Sequence, residues 1–362
     1  MVDPKSLFSL SDHLDALSKE GDPLEVLQQT VDFEYFRAWL VEGLGYGDGA
    51  KGGRPPFDPV MMFKALILQA QLNLSDARME FMIRDRLSWL RFLALAWRPD
   101  AGREHDPAFS QPPHRDRHAQ AGHESLRLAT AEEGYIPMSG QIVDASLVPA
   151  PKQRNTEGER DAIKSGMSAK EIWPDEPNKA AQKDTDARWT LKIGGKVRYR
   201  ADGTPLPMIA LPVFGYKSHI SIDRRFGFIR DMAVTSASAA DGRLLRQVVS
   251  RDNTGSEVWA DSAYRSKRNE KWLSDRMLTS RIHRRKPKGR PMPKAIARAN
   301  AVKSSIRAHV EHVFAHQENR FGIFICTIGL ARAEAKLTLY NLAYNFNRLI
   351  SHGRRDCRES MG

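Results

Sequence analysis

The first 97 residues of the chain show apolar positions at helical spacing, broken by a glycine-rich loop. The first clear helix start is at Asp22 and Pro23, because an Asp side chain caps a first turn and a proline fits its first position. Asp58 and Pro59 open a later helix in the same way. We therefore expect residues 1–97 to form a helical N-terminal domain.

From residue 138 onward, short apolar runs alternate with helix-like segments. The runs that predict strands are GQIVDASLVPA, VFGYKSHISID, FGFIRDMAVTSA, EVWADSAY and TSRIHRR. A long helix from about 294 to 320 and a final amphipathic helix follow them. This order predicts an α/β fold over residues 138–352, with a mixed sheet covered by helices. The polar stretch of residues 151–190, which follows the first run, is expected to be an exposed insertion, and residues 353–362 are expected to form a tail.

Residues 98–137 interrupt this pattern. They contain few aliphatic side chains and several of the eleven histidines of the chain. Such a composition favours an irregular connecting segment. His114 and His118 have the spacing of a metal pair on a helix, but two prolines precede them and no acidic partner motif is nearby. We therefore expect no metal site in this segment.

The net charge of +12 and the isoelectric point of about 9.7 indicate a polyanionic partner, most simply nucleic acid. The alternative is a protein that is merely basic. Two cysteines, Cys326 and Cys357, are too few for a zinc knuckle or a disulfide framework. No apolar run approaches the length of a membrane span, and no leader pattern opens the chain. These features predict a cytoplasmic location.

Three acidic residues lie within apolar, core-like segments: Asp144, Asp261 and Glu311. A buried carboxylate without a partner is costly, so each requires an explanation. Carboxylates from separate strands and a helix are the arrangement that holds two divalent ions for phosphoryl chemistry. Taken singly, either Asp would also suit a turn or a helix cap, and Glu311 would suit a surface pair with Arg307.

The segments around these acids resemble the DDE transposases of the IS5 group of bacterial insertion sequences, within the larger IS4-like assembly. The resemblance covers nearly the whole chain and rests on several motifs in order. They include GRPPFDPVMMFKALILQ, IPMSGQIVDASLVPAPKQRN, FGYKSHISID, VWADSAYRS, RAHVEHVFA and NLAYNFNRL. The resemblance implies an RNase H-like catalytic domain with Asp144, Asp261 and Glu311 as its triad. It also implies two Mg²⁺ ions, or Mn²⁺, as cofactors.

The same resemblance implies the partners and the reaction. The substrate is double-stranded DNA, cleaved at the terminal inverted repeats of the element and joined to a target duplex. A homodimer or larger assembly on DNA and association with the bacterial nucleoid are expected. The helical N-terminal domain is expected to bind the DNA ends or to dimerise.

Basic residues near the triad are the predicted DNA contacts. Arg307 matches the helix signature of the family. The densest basic run precedes the helix of Glu311 and contains Arg284, Arg285, Lys286, Lys288 and Arg290. Further candidates are Lys217 and, just after the second Asp, Arg265 and Lys267. The alternative is a solvated loop and, for Lys217, an exposed strand residue.

Other functions stay open at this point. Glu318 stands where the family helix has a Lys, which reverses a charge expected to face DNA phosphate, and Ser304 replaces a Tyr. Residues 98–130 depart from the family pattern, and compensating frameshifts are our hypothesis for them. These departures favour an alternative, a catalytically impaired relic that binds DNA without cleaving it. A third possibility is a free-standing RNase H-like nuclease without strand transfer.

Overall fold

The computed structural model describes residues 10–44, 57–95, 140–193, 200, 202, 210–250 and 257–359. The chain divides into two compact units, which are described separately. The first comprises Met1–Tyr135, His316–Gly322 and Thr338–Gly362, and the second comprises Ile136–Ala315 and Ile323–Leu337. The predicted connecting segment 98–137 and the proposed frameshift within it lie outside the described residues.

The first unit is helical, as predicted. Its described N-terminal part contains α1 (Leu10–Lys19), α2 (Pro23–Thr30), a 3-10 turn (Phe33–Phe36), α3 (Arg37–Leu44), α4 (Pro59–Leu72), α5 (Asp76–Asp85) and α6 (Leu87–Phe92). Asp22 caps α2 and Asp58 caps α4 through hydrogen bonds to first-turn backbone N–H groups, which confirms both predicted starts. Phe33 packs edge-on against Phe92 and Phe346, so aromatic contacts form part of the core of this unit, together with buried aliphatic side chains.

The second unit is built on a six-stranded mixed sheet. Its strands are β1 (Gln141–Pro149), β2 (Arg188–Ile193), β3 (Ala210–Asp223), β4 (Ile229–Ser236), β5 (Glu257–Ala260) and β6 (Thr279–Ser280). The antiparallel partners β4 and β1 flank the second half of β3, while β5 pairs in parallel with β1, and β6 with β5. The resulting order β4-β3-β1-β5-β6, with only β3 reversed, is the RNase H-like topology that the resemblance implied.

The predicted insertion contains the helices α7 (Glu157–Lys164), α8 (Ala169–Ile172) and α9 (Pro177–Gln182). The long helices α12 (Lys294–Asn319) and α13 (Leu330–Glu359) each belong partly to both units. The short helices α10 (Leu245–Val248) and α11 (Lys267–Ser274) pack against strands of the sheet. The core beneath them includes Val143, Val258 and Leu245, all essentially inaccessible to solvent. None of the described helices is both long and apolar enough to cross a membrane.

Most residues of the insertion are exposed, as predicted, and the segment is also folded and anchored. Trp173 is buried within it, and the end of the insertion forms β2 at the edge of the sheet. Asp184 accepts hydrogen bonds from the Tyr216 hydroxyl at 2.6 Å and from the backbone N–H of Ala187. Asp186 accepts from the first N–H of α13 at 2.8 Å. Acids of the insertion therefore order it and cap a helix at the same time.

Candidate active site

Asp144 and Asp261 lie at the same level of β1 and β5, two neighbouring strands in the interior of the sheet. β1 and β5 run parallel, with Val143 opposite Ala260. Asp144 follows Val143 on β1, and Asp261 follows Ala260, the last residue of β5. Residues at the same level on neighbouring parallel strands project to the same side of the sheet. Strand pairing therefore brings together two carboxylates that are far apart in the chain.

Short local hydrogen bonds hold both carboxylates in place. Asp261 caps the 3-10 turn that follows β5, with its Oδ1 accepting from the backbone N–H of Ala263 at 2.8 Å. Asp144 Oδ1 accepts from the N–H of Ala145 at 2.9 Å. The cap alternative for Asp261 is thus correct, and it is compatible with a functional role, because a cap orients the carboxylate without neutralising it.

Arg307 joins the third acid to the strand. One guanidinium nitrogen forms an ion pair with Asp144 Oδ2, and the other lies 3.4 Å from Glu311 Oε1. The side chains of Asp144, Arg307 and Glu311 are 14%, 24% and 57% exposed, respectively. The pair of Arg307 with Glu311 is therefore more than a surface pair along one helix, because it extends to a half-buried strand carboxylate.

The electrostatic environment of Asp144 favours binding of a cation. Burial raises the pKa of Asp144 to about 6, Arg307 opposes this increase, and Glu311 and Asp261 add to it. Carboxylate oxygens are the ligands that Mg²⁺ prefers, so the donor set fits a hard divalent ion. Within the described ranges, no three His, Cys, Asp or Glu side chains already form a metal-ligating group. The guanidinium of Arg307 lies between the carboxylates of Asp144 and Glu311 instead.

Two further polar side chains, Tyr264 and His283, interact with these acids, and the sequence pattern predicts neither as part of the acidic site. The backbone N–H of His283 donates to the carbonyl of Ala260 at 3.1 Å, which continues the β5–β6 register to the level of Asp261. His283 Nε2 and the Tyr264 hydroxyl are buried, and neither has a hydrogen-bond partner among the described residues. The pKa of the His283 side chain is lowered, mainly because the ring is partly buried and also because the positive charge of Arg307 is near. The available signal was their position in the chain, because Tyr264 follows Asp261 within one motif and His283 lies within the last strand-like run.

Part of the predicted basic loop contacts the turn that follows Asp261. Arg285 donates to the carbonyls of Ser262 and Ala263, at 2.8 and 3.2 Å, in the turn that directly follows Asp261. Asn300 of α12 holds the backbone of Arg284 from both sides, at 3.1 and 3.0 Å. The remaining predicted contacts of this loop are exposed, namely Lys286, Lys288 and Arg290. The start of the loop is thus held by hydrogen bonds on two sides, to the turn after β5 and to α12.

The other predicted DNA contacts differ among themselves. Lys217 is only 15% exposed, and its ammonium binds Asp241 and the carbonyl of Ala239, both at 2.8 Å, so the exposed-strand alternative is wrong. Arg265 donates to the carbonyl of Ile282 at 3.0 Å. Lys267 is exposed at the start of α11. The ammonium of Lys217 is therefore held by partners within the protein rather than presented to DNA.

Two protein families match the chain. Residues 12–101 match the family described as Transposase domain (DUF772), and residues 136–346 match the Transposase DDE domain. The Transposase for insertion sequence element IS1106 of Neisseria meningitidis serogroup B is 26% identical over 183 residues, which are 51% of this chain and 55% of that protein. The chain thus spans about half the length of this curated relative. No solved structure matches the chain.

The DDE match includes β1, β5 and the described part of α12 that bears Arg307 and Glu311. It covers more than half of the sequence, and the fold beneath it is the sheet expected of such a domain. The IS5 group within the family stays a prediction. The chain belongs to the Transposase DDE domain family.

Proposed function

We propose that Asp144, Asp261 and Glu311 form the catalytic triad of this transposase and bind two divalent ions, Mg²⁺ or Mn²⁺. The observation that carries the proposal is the strand register that sets Asp144 beside Asp261, with Glu311 linked to the same carboxylate through Arg307. When bound, the ions would activate the attacking oxygen and neutralise the leaving oxygen during DNA cleavage and strand transfer.

The side chains of the chain would then bind and orient the substrate. The cap at Asp261 keeps its carboxylate in one orientation, and the half-buried Asp144 provides a poorly hydrated site in which electrostatic interactions are strong. Arg285 and the exposed cations of the basic loop are placed to bind backbone phosphates next to the acids. Arg265 and Lys267, which follow Asp261, complete this proposed surface.

The substrate of the proposed reaction is a duplex that contains the terminal inverted repeat of the element, and the product is joined to a target duplex. A homodimer or larger assembly would bind the two ends together. Asp144→Asn and Asp261→Asn should each lower cleavage in Mg²⁺ by about 1000-fold or more, a loss of roughly 4 kcal/mol of transition-state stabilisation. DNA binding, measured by gel shift, should persist in both variants.

Asp275→Asn is the matched control, because this Asp lies in an exposed pair with Lys271. It should cleave at the rate of the parent. If Asp144→Asn or Asp261→Asn cleaves as fast as this control, the triad assignment is wrong. Cleavage without joining to a second duplex would identify a nuclease rather than a transposase.

A second candidate function, the impaired DNA-binding relic, is favoured by Glu318. This acid is an exposed residue of α12, at the position where the resemblance places a Lys. A negative charge on a DNA-facing surface would weaken the salt-dependent part of the affinity. Reversing this charge, in Glu318→Lys, separates the two candidate functions.

A further inference from the structure

Arg307 is itself a cation held by the proposed metal-binding carboxylates. Its guanidinium is permanently charged and pairs with both Asp144 and Glu311. The third guanidinium nitrogen, Nε, is buried and has no partner in the part of the chain that the structure describes. Arg307 therefore neutralises the acids while leaving one of its own donors unsatisfied.

We propose that Arg307 is a resident counter-ion that must leave Asp144 before a divalent ion binds, so that DNA binding and metal binding promote each other. The proposal rests on the proposed function, because it assumes that the same carboxylates hold the metal. A divalent ion and a guanidinium on one carboxylate repel each other strongly in a half-buried site. The affinity for metal therefore depends on how readily the Arg307 guanidinium moves away from the carboxylate of Asp144.

A DNA phosphate offers the withdrawn side chain a better-matched partner. The planar guanidinium donates two parallel hydrogen bonds to phosphate oxygens, whereas here its contacts go to two different residues and leave Nε unpaired. Arg285 already lies against the turn after Asp261, so a phosphate approaching the acids meets a positive surface. DNA that binds Arg307 frees the carboxylates for metal.

This coupling is reciprocal by thermodynamic linkage. If DNA raises the affinity for metal by some factor, then metal raises the affinity for DNA by the same factor. Arg307→Gln removes the charge, so the variant should bind metal tightly without DNA and should lose the mutual enhancement. These are equilibrium quantities, and they are measurable without any turnover.

The experiment titrates the full-length protein with Mn²⁺, detecting free ion by electron paramagnetic resonance. Arg307→Gln is expected to bind Mn²⁺ about 10-fold more tightly than the wild type in the absence of DNA, within the usual range of allosteric coupling. Lys303→Gln is the matched control, because it removes one charge from the same helix and its ammonium contacts the carbonyl of Ile282 rather than an acid of the triad. Its Mn²⁺ affinity should change by less than about 3-fold.

A second variant guards against a folding defect. Arg307→Lys keeps the charge, and its Mn²⁺ affinity should stay within about 3-fold of the wild type. A parallel measurement follows binding of a fluorescent duplex at constant ionic strength, with and without Ca²⁺. Ca²⁺ should tighten DNA binding about 10-fold more in the wild type than in Arg307→Gln.

Different failures have different meanings. If Arg307→Gln binds Mn²⁺ no more tightly than the wild type, while Asp144→Asn abolishes binding, the metal site stands and the counter-ion role of Arg307 is overturned. If the wild type, Arg307→Gln and Asp144→Asn all fail to bind Mn²⁺, both the proposed function and the counter-ion role are overturned.

Discussion

Tyr216 donates its hydroxyl to Asp184 across 2.6 Å, from the strand beside β1 to the last turn of the insertion. Both residues are buried. The bond thus connects the insertion to β3, the strand that pairs with β1 along its whole length. Because the carboxylate of Asp184 also receives backbone N–H groups, this contact belongs to a network rather than to an isolated pair.

Removing that hydroxyl should destabilise the protein. Tyr216→Phe leaves a buried carboxylate short of one donor, and we expect a loss of about 1–3 kcal/mol in the free energy of unfolding. Tyr264→Phe is the matched control, because the Tyr264 hydroxyl is buried with no partner among the described residues. That variant should be neutral or slightly stabilised. Urea unfolding of both variants tests this, and equal losses would contradict the role of Tyr216.

Asp144 should lower stability at neutral pH in the absence of metal. Its pKa in the folded protein is about 6, above the ordinary 3.8, so the folded state binds a proton more readily than the unfolded state. Its contribution to stability therefore falls as the pH rises from about 4 to 6, and it stays low above that. Asp144→Asn should be about 1–3 kcal/mol more stable than the wild type at pH 7.5 in EDTA.

This advantage should shrink at pH 4, where Asp144 is protonated in the wild type. Urea unfolding at the two pH values measures it. The control is Asp275→Asn, whose effect at each pH should be small because Asp275 is an exposed partner of Lys271. An advantage of Asp144→Asn that is as large at pH 4 as at pH 7.5 would refute the titration argument.

Gly215 permits the close approach of β3 to β1. A Cβ at this position would lie 2.2 Å from the carbonyl oxygen of Val148 and 2.9 Å from the amide nitrogen of Ala150. Gly215→Ala should cost about 3 kcal/mol, because backbone atoms on both strands must move. Gly158→Ala in α7, where a Cβ meets nothing within 4 Å, should instead stabilise the protein by about 0.5–1 kcal/mol. Thermal unfolding compares the stability of the two variants. If Gly215→Ala lost little stability, the close approach of the two strands would not require a glycine.

Lys288 should contribute one phosphate contact to DNA binding. It is an exposed residue of the basic loop that approaches the turn after Asp261. Lys288→Ala should reduce the slope of log affinity against log salt by about 1 and weaken binding to different sequences equally. Lys164→Ala removes the same charge from the exposed face of α7 and should leave the slope unchanged. Fluorescence anisotropy at several salt concentrations gives both slopes.

Substitutions of Glu318 show whether the charge of this residue impairs the protein. We expect the wild type to cleave a duplex with the flanking inverted repeat in Mg²⁺, and Glu318→Lys to bind that duplex roughly 10-fold more tightly through an added phosphate contact. Glu318→Gln separates loss of the negative charge from gain of the positive one, and its affinity should be intermediate. Cleavage by Glu318→Lys alone would identify the wild type as the impaired relic.

Much of the fold was predictable because its signals are local. Capping by Asp58 and the long apolar pattern of α12 depend on neighbours a few residues away, and both appear as predicted. β2 is not predicted as a strand, and its first three residues fall in the predicted insertion. It becomes a strand only by pairing with β3. That pairing is non-local, so no short pattern identifies it.

The sequence by itself determined that Asp144 and Asp261 lie at strand-like segments and that Arg307 and Glu311 share one face of a helix, because both follow from local periodicity. Only the tertiary structure decided that Arg307 pairs with Asp144 and that Lys217 pairs with Asp241. It also decided that His283 lies beside Asp261, on the continuation of the neighbouring strand. Strand register and the packing of a helix on a sheet create these contacts. They join residues far apart in the chain, which side-chain spacing along a single element does not encode.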